Sequence, residues 1–312
     1  MTFSCHISEG IMKGKKGAEI MEYIPAKTII NHTKNDRWFG ADYNMNIYKG
    51  CCHGCIYCDS RSDCYRVEDF DRVRAKKDAL RILRDDLRRK QKRGVIATGA
   101  MSDPYNPFER QMNLTRHSLE LINAFHFGVA IDTKSPLVTR DIDILKDIQK
   151  HSPVIVKLTI TTADDQLCKK IERSVAVSSQ RFKALKELSD NGIYCGVLLM
   201  PILPFINDTE ENIAEIIRLA KDNGAKFIFP AFGMTLRDNQ RAHYYQQLER
   251  HFPTLKEKYL NRYGNRYSCN SPKSRELYAF FAEECKKVGL LYKMGDIIAA
   301  YKQNKYGQLS LF

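Results

Sequence analysis

The chain predicts an α/β fold, and three observations carry that reading. Short β-rich runs alternate with helical patterns over most of its length, which argues for a series of parallel βα units. Apolar residues in the helical stretches recur at helical spacing, as Val73, Leu80, Leu83 and Leu87 do in the first of them. No internal repeat or low-complexity linker interrupts the series.

In order, residues 1–40 read as an irregular or small N-terminal cap, and 41–232 as the βα domain. Its first strand is "ADYNMNIY" (41–48), followed by a helix over 67–92 and the strand "GVIATGA" (94–100). Then come a helix at 113–125, the strand "FGVAIDT" (127–133), a helix at 139–150 and the strand "VIVKLTIT" (154–161). A helix at 179–191 leads to "IYCGVLLM" (193–200), and one at 209–222 leads to "KFIFPAF" (226–232). The stretch "NDTEEN" before Ile213 marks a helix start, with acids in the first turn. Residues 233–301 read as a helical C-terminal subdomain and 302–312 as a flexible tail.

With 312 residues, 43% hydrophobic and 28% charged, the chain is long enough for one large core or two modest ones. It contains no run of about 18 apolar residues, which argues against a membrane span. The start, "MTFSCHISEGIMKGKKGAEI", lacks the apolar stretch of a signal peptide, so a cytoplasmic location is expected. In a reducing compartment its ten cysteines are free thiols or metal ligands rather than a disulfide framework. A formal charge of +13 suggests a polyanionic partner.

The chemistry concentrates in "YKGCCHGCIYCDS" (48–60), where Cys51, Cys55 and Cys58 form C-x3-C-x2-C and Cys52 breaks the regularity. A structural zinc site wants four ligands, usually in two separated pairs, and no second C-x2-C exists. A redox dithiol at Cys55 and Cys58 would leave Cys51 without a purpose. Three thiolates suit a [4Fe–4S] cluster with one iron free of protein ligands, and an open iron can bind a small molecule.

This motif, with Tyr57 just before the last cysteine, resembles the signature of the radical SAM superfamily. The resemblance implies that the unique iron binds the amino and carboxylate groups of S-adenosyl-L-methionine, and that its cleavage yields a 5′-deoxyadenosyl radical. It also implies an electron donor such as flavodoxin or ferredoxin. The six strands and five intervening helices fit that superfamily's partial (β/α)6 TIM-like barrel, with the cysteines on the loop after strand one. Active sites of such barrels lie at the C-terminal ends of the strands. Tyr57 and the strand-end residues are therefore the cofactor-binding candidates. Gly99 lets backbone approach a ligand closely, and Ser102 and Asp103 are acceptors for the methionyl ammonium. Lys134 is placed for the methionyl carboxylate, and Thr159 and Thr161 share one strand face for the ribose or the carboxylate.

Within the superfamily the chain resembles the spore photoproduct lyase-like, or DNA repair photolyase-like, group. The likeness rests on "NIYKGCCHGCIYCDSR", "GAMSDPYNPFE", "VAIDTKSPLVTRDIDIL", "ITTADDQLCKKIE" and "PAFGMTLR", among others, and runs from about residue 25 to 300. In the lyases proper a cysteine near the SD pair returns a hydrogen atom to the lesion. Here the loop reads "GAMSD", with no cysteine between Cys64 and Cys168. Tyr105 is a candidate donor, with a bystander ring as the alternative.

A nucleic acid, DNA in particular, is the expected partner. Residues 71–94 hold eleven Lys or Arg against four Asp, a net +7, although a solvated helix face is the simpler reading of such a run. "RAHYYQQLERHFPTLKEKYLNRYGNRY" interleaves aromatics with basic groups, as contacts to single strands or flipped bases need; core packing explains it equally well. RNA, a peptide or a small molecule remain alternative substrates, and a non-catalytic metal-binding module an alternative class. The final residues "QLSLF" resemble the short motif by which bacterial replication and repair proteins bind the DNA sliding clamp. Gln308 would serve as hydrogen-bond partner and Leu309, Leu311 and Phe312 as the apolar anchor. Docking of the tail on its own core is the competing expectation.

Overall fold

The computed structural model describes residues 21–33 and 38–306, the side chains of 303–306 excepted. In chain order its strands are β1 (Glu22–Ile24), β2 (Ile30–His32), β3 (Tyr43–Met45), β4 (Tyr48–Lys49), β5 (Arg74–Lys76) and β6 (Val95–Thr98). They continue with β7 (Gly128–Thr133), β8 (Val154–Thr159), β9 (Cys195–Leu199), β10 (Phe227–Pro230), β11 (Gly233–Thr235) and β12 (Ser268–Asn270). The helices are α1 (Ala79–Arg89), α2 (Glu109–Met112), α3 (Leu114–Ala124), α4 (Ile142–Gln149), α5 (Asp165–Ile171) and α6 (Ser178–Asp190). After them come α7 (Glu210–Asp222), α8 (Asp238–His251), α9 (Leu255–Tyr263), α10 (Ser274–Val288) and α11 (Met294–Tyr306).

The main sheet runs β10-β9-β8-β7-β6-β3-β2. From β3 to β10 every neighbouring pair is parallel, and β2 is added antiparallel at the end. Because each parallel strand lies beside its predecessor, the winding never reverses direction. A doubly wound sheet would reverse at its middle; this one is the partial barrel expected, and β2 and β10 do not pair to close it.

Side chains alternate across the strands. Val129, Ile131, Val156, Leu158, Val197 and Leu199 enter the core shared with the surrounding helices. Ala97, Ala130, Ile155 and Leu198 belong to a second cluster, which Phe39 joins together with Ile297 and Tyr301 of α11. Tyr301 donates its hydroxyl to the Phe39 carbonyl, fastening α11 beneath the sheet. The Lys157 ammonium, paired with Asp132 at 2.8 Å, sits 4.3 Å from the centre of the Phe39 ring.

Several expectations need correction. The helix expected over 67–92 is only α1, because Asp78 adopts a left-handed conformation (φ 54°) and Arg74–Lys76 pair with β1 and β4. Val73 therefore lies outside the helix, whose buried face is Ala79, Ile82, Leu83, Asp86 and Leu87. The first strand divides: β3 joins the main sheet, while β4 joins a three-stranded sheet of order β1-β5-β4. Residues expected in an N-terminal cap thus supply a strand to each of these two sheets. α5 was not anticipated, and the β11–β12 pair lies within the stretch read as helical. The last helix continues to Tyr306, into the expected tail. Gln308, Leu309, Leu311 and Phe312 lie outside the described residues. No helix among those described is long and apolar enough to cross a membrane.

Candidate active site

The cysteine loop leaves β4 through Gly50, whose φ of +80° and closeness to the Arg72 carbonyl admit no side chain: a Cβ would lie 2.2 Å from that oxygen. Cys51 N–H donates to the Phe70 carbonyl (2.8 Å) and Ile56 N–H to the Ile171 carbonyl (3.0 Å). Cys55, Ile56 and Tyr57 then pack with Ile171, Leu203, Met234 and the α8–α9 aromatics Tyr244, Tyr259 and Tyr263. Most of the aromatic residues considered for nucleic-acid contacts are thereby committed to this core. Tyr244 and Tyr259 share a hydroxyl–hydroxyl bond of 2.8 Å, and Tyr267 is the exposed exception.

Cys51, Cys55 and Cys58 line one cavity, together with His53, Ser60, Gly99–Asp103, Asp132, Thr133, Lys134 and Thr159. Among the described residues no three His, Cys, Asp or Glu side chains converge on a single ion. A [4Fe–4S] cluster takes its thiolates on separate irons. The donor set fits the cluster. Burial raises the pKa of all three thiols, that of Cys51 to about 12.

The strand-end residues meet at this cavity, several in roles other than those expected. Both Asp103 oxygens are already engaged: Oδ1 accepts from Tyr105 N–H (2.9 Å) and Thr133 Oγ1 (2.7 Å), and Oδ2 from Lys134 N–H (2.8 Å). His53 Nδ1 lies 3.5 Å from Oδ2. Asp103 therefore ties the loops after β6 and β7 together. Ser102 donates to the Gly50 carbonyl and ties the first of them to the cysteine loop. Gly99 (φ +106°) is required by protein rather than ligand, since a Cβ there would lie 1.9 Å from the Asp132 carbonyl oxygen. Thr159 lines the cavity. Thr161 lies beyond the end of β8 and does not line it; its carbonyl accepts from Asn207 and Asn212 side chains. Tyr105, 1% exposed, borders a neighbouring cavity instead, and burial with Asp141 close by pushes its phenol well above the usual range.

Lys134 lines both cavities, its ammonium 5.8 Å from the Tyr57 ring centre. Burial opposes its charge, but Cys55 and Glu172 outweigh burial and raise its pKa. Behind the cysteines lies a pair that the sequence did not reveal. Glu172, 1% exposed, accepts the Tyr57 hydroxyl and pairs with Arg181, 0% exposed, at 2.6 Å. Burial works against the Glu172 charge, yet Arg181 and Lys134 hold its pKa below the usual carboxylate value. In "CKKIERS" Glu172 reads as one surface charge among several, so only the fold exposes its role.

A one-directional parallel half-barrel with three motif cysteines facing a cavity at its strand ends defines a class. The chain matches the radical SAM superfamily over residues 45–220 and belongs to it. That family uses a [4Fe–4S] cluster and S-adenosylmethionine. In fold the chain is similar to spore photoproduct lyase complexed with dinucleoside spore photoproduct, with a TM-score of 0.63 and 14% identity over 85% of this chain and 79% of that one. It is also similar to a radical S-adenosylmethionine methyltransferase, TsrM, from Kitasatospora setae with cobalamin and a [4Fe–4S] cluster bound, with a TM-score of 0.52 and 11% identity over 79% of this chain and 53% of that one. Its sequence relatives include an uncharacterized protein of Methanocaldococcus jannaschii, 37% identical over 62% of this chain and 71% of the relative. Another is an uncharacterized protein of Mycobacterium tuberculosis, 28% identical over 76% of this chain and 72% of the relative.

Proposed function

We propose that this radical SAM enzyme acts on a damaged or modified base in DNA, with Cys51, Cys55 and Cys58 as the iron ligands. The observation that carries the assignment of ligands is the single cavity that these three cysteines share with the strand ends. When bound, the cluster and S-adenosylmethionine supply a 5′-deoxyadenosyl radical, with flavodoxin or ferredoxin as electron source. The protein's part is to bind and shield: Lys134 offers a half-buried cation for the methionyl carboxylate, and Asp103 and Ser102 hold the loops that wall the cavity. Support for DNA comes from the charge of +13 and from the outer face of α1, where Arg81, Arg84, Arg88 and Arg89 are exposed. The fold likeness to spore photoproduct lyase agrees with it. Among the described residues the cysteines lining the cavity are the three proposed ligands, with no further thiol beside them to return a hydrogen atom, and repair of the spore photoproduct itself is not expected. QLSLF adds a bacterial sliding clamp as the expected partner.

Anaerobic incubation with reductant and S-adenosylmethionine tests the reading. 5′-Deoxyadenosine should form, faster with lesion-bearing DNA present, and should vanish in Cys58→Ala but not in Cys52→Ala. Equal loss in both variants would overturn the ligand assignment. Formation indifferent to any DNA would overturn the substrate class.

A further inference from the structure

We propose that Glu172 and Arg181 are positioning residues for the iron-binding loop, acting through Tyr57. This inference rests on the reading of Cys51, Cys55 and Cys58 as ligands. Its basis is that one buried residue grips that loop twice. The Glu172 backbone bridges to that of Cys55, while its carboxylate takes the hydroxyl of Tyr57, the residue directly before Cys58. On either side the strap continues, with Ile56 N–H on the Ile171 carbonyl (3.0 Å) and Ser174 N–H on the His53 carbonyl (2.9 Å).

Arg181 anchors the other end. Its Nε donates to the Ala176 carbonyl (2.8 Å), its Nη1 to the Thr159 carbonyl (2.8 Å), and the same Nη1 lies 2.6 Å from Glu172. Thr159 is itself part of the cavity wall. The chain of contacts therefore runs from the last two cysteines, through Tyr57, Glu172 and Arg181, to the C-terminal end of β8. An ion pair serving stability alone would have no need to end on the phenol of the cysteine motif. Glu172 also places a negative charge behind the loop, facing the cations Lys134 and Arg181.

The test compares Tyr57→Phe, Glu172→Gln and the double variant after anaerobic reconstitution, with Cys58→Ala as control. Iron retention against a chelator, and S-adenosylmethionine affinity read from the EPR spectrum of the reduced cluster, should each fall about 10- to 100-fold in either single variant, the range for loss of a partner behind a metal ligand. The double variant should be no worse than the more damaging single one, because the two residues form one unit. The midpoint potential should rise in Glu172→Gln, which removes a charge, and hold in Tyr57→Phe, which does not. Should Glu172→Gln fail to fold, Tyr57→Phe leaves the ion pair intact and decides alone. Wild-type retention and affinity in Tyr57→Phe, or additive losses in the double variant, would overturn the inference while leaving the ligand assignment standing. A wild-type protein that takes up no iron would overturn both.

Discussion

Asp103 shows how a residue read in the right place can also carry a structural role that the sequence does not announce. Its position after a strand made it a candidate for the cofactor's ammonium, yet its oxygens hold Tyr105, Thr133 and Lys134. Lys134, by contrast, keeps its ammonium at the cavity while its backbone is held by Asp103. Replacing it with alanine removes the cation without touching that backbone bond. S-Adenosylmethionine affinity should then fall about tenfold or more, in line with loss of a charge-assisted contact of about 1.5–3 kcal/mol, with iron content unchanged. Equilibrium binding to the reconstituted variant checks it, and unchanged affinity would move the carboxylate site elsewhere. The cysteines were legible because their chemistry is written in local spacing. Glu172 and Arg181 were not, because a buried pair nine positions apart looks like two surface charges until the end of α5 and the first turn of α6 bring them together.

Among the elements, α1 departs furthest from its sequence pattern. Its run of charges reads most simply as a solvated helix face, but Asp86 is buried and accepts from Ile29 N–H (2.7 Å) and Ile30 N–H (3.1 Å). It fastens the helix to β2, and the opposite face is correspondingly more basic. Asp86→Ala would leave two buried donors unmet, at on the order of 1–3 kcal/mol each, whereas Asp86→Asn retains an acceptor. The urea midpoint should therefore drop clearly in the alanine variant and less in the asparagine one; equal midpoints would deny Asp86 this role. The other barrel helices and strands fell near their expected bounds, because parallel strands are buried on both faces and stand out as apolar runs. β4 and β5 did not. Two or three residues long, they owe their existence to pairing with distant chain rather than to local pattern.

At the scale of the molecule, the tail carries the proposed sliding-clamp contact, a partner distinct from the DNA that the charge suggests. Full-length protein should bind a purified bacterial sliding clamp, and removal of residues 308–312 should abolish that binding while iron content stays as before. Absence of clamp affinity, or loss of the cluster on truncation, would make the tail part of the protein's own architecture. The failure of β2 and β10 to meet has a consequence of its own. A ring sewn shut by its strands admits only what enters at the mouth. Here the last stitch is missing, and side chains take its place: Trp38 and Phe39, from the chain after β2, pack against Phe227 and Phe229 of β10, so that the ring is shut on that side by packing and not by backbone bonds.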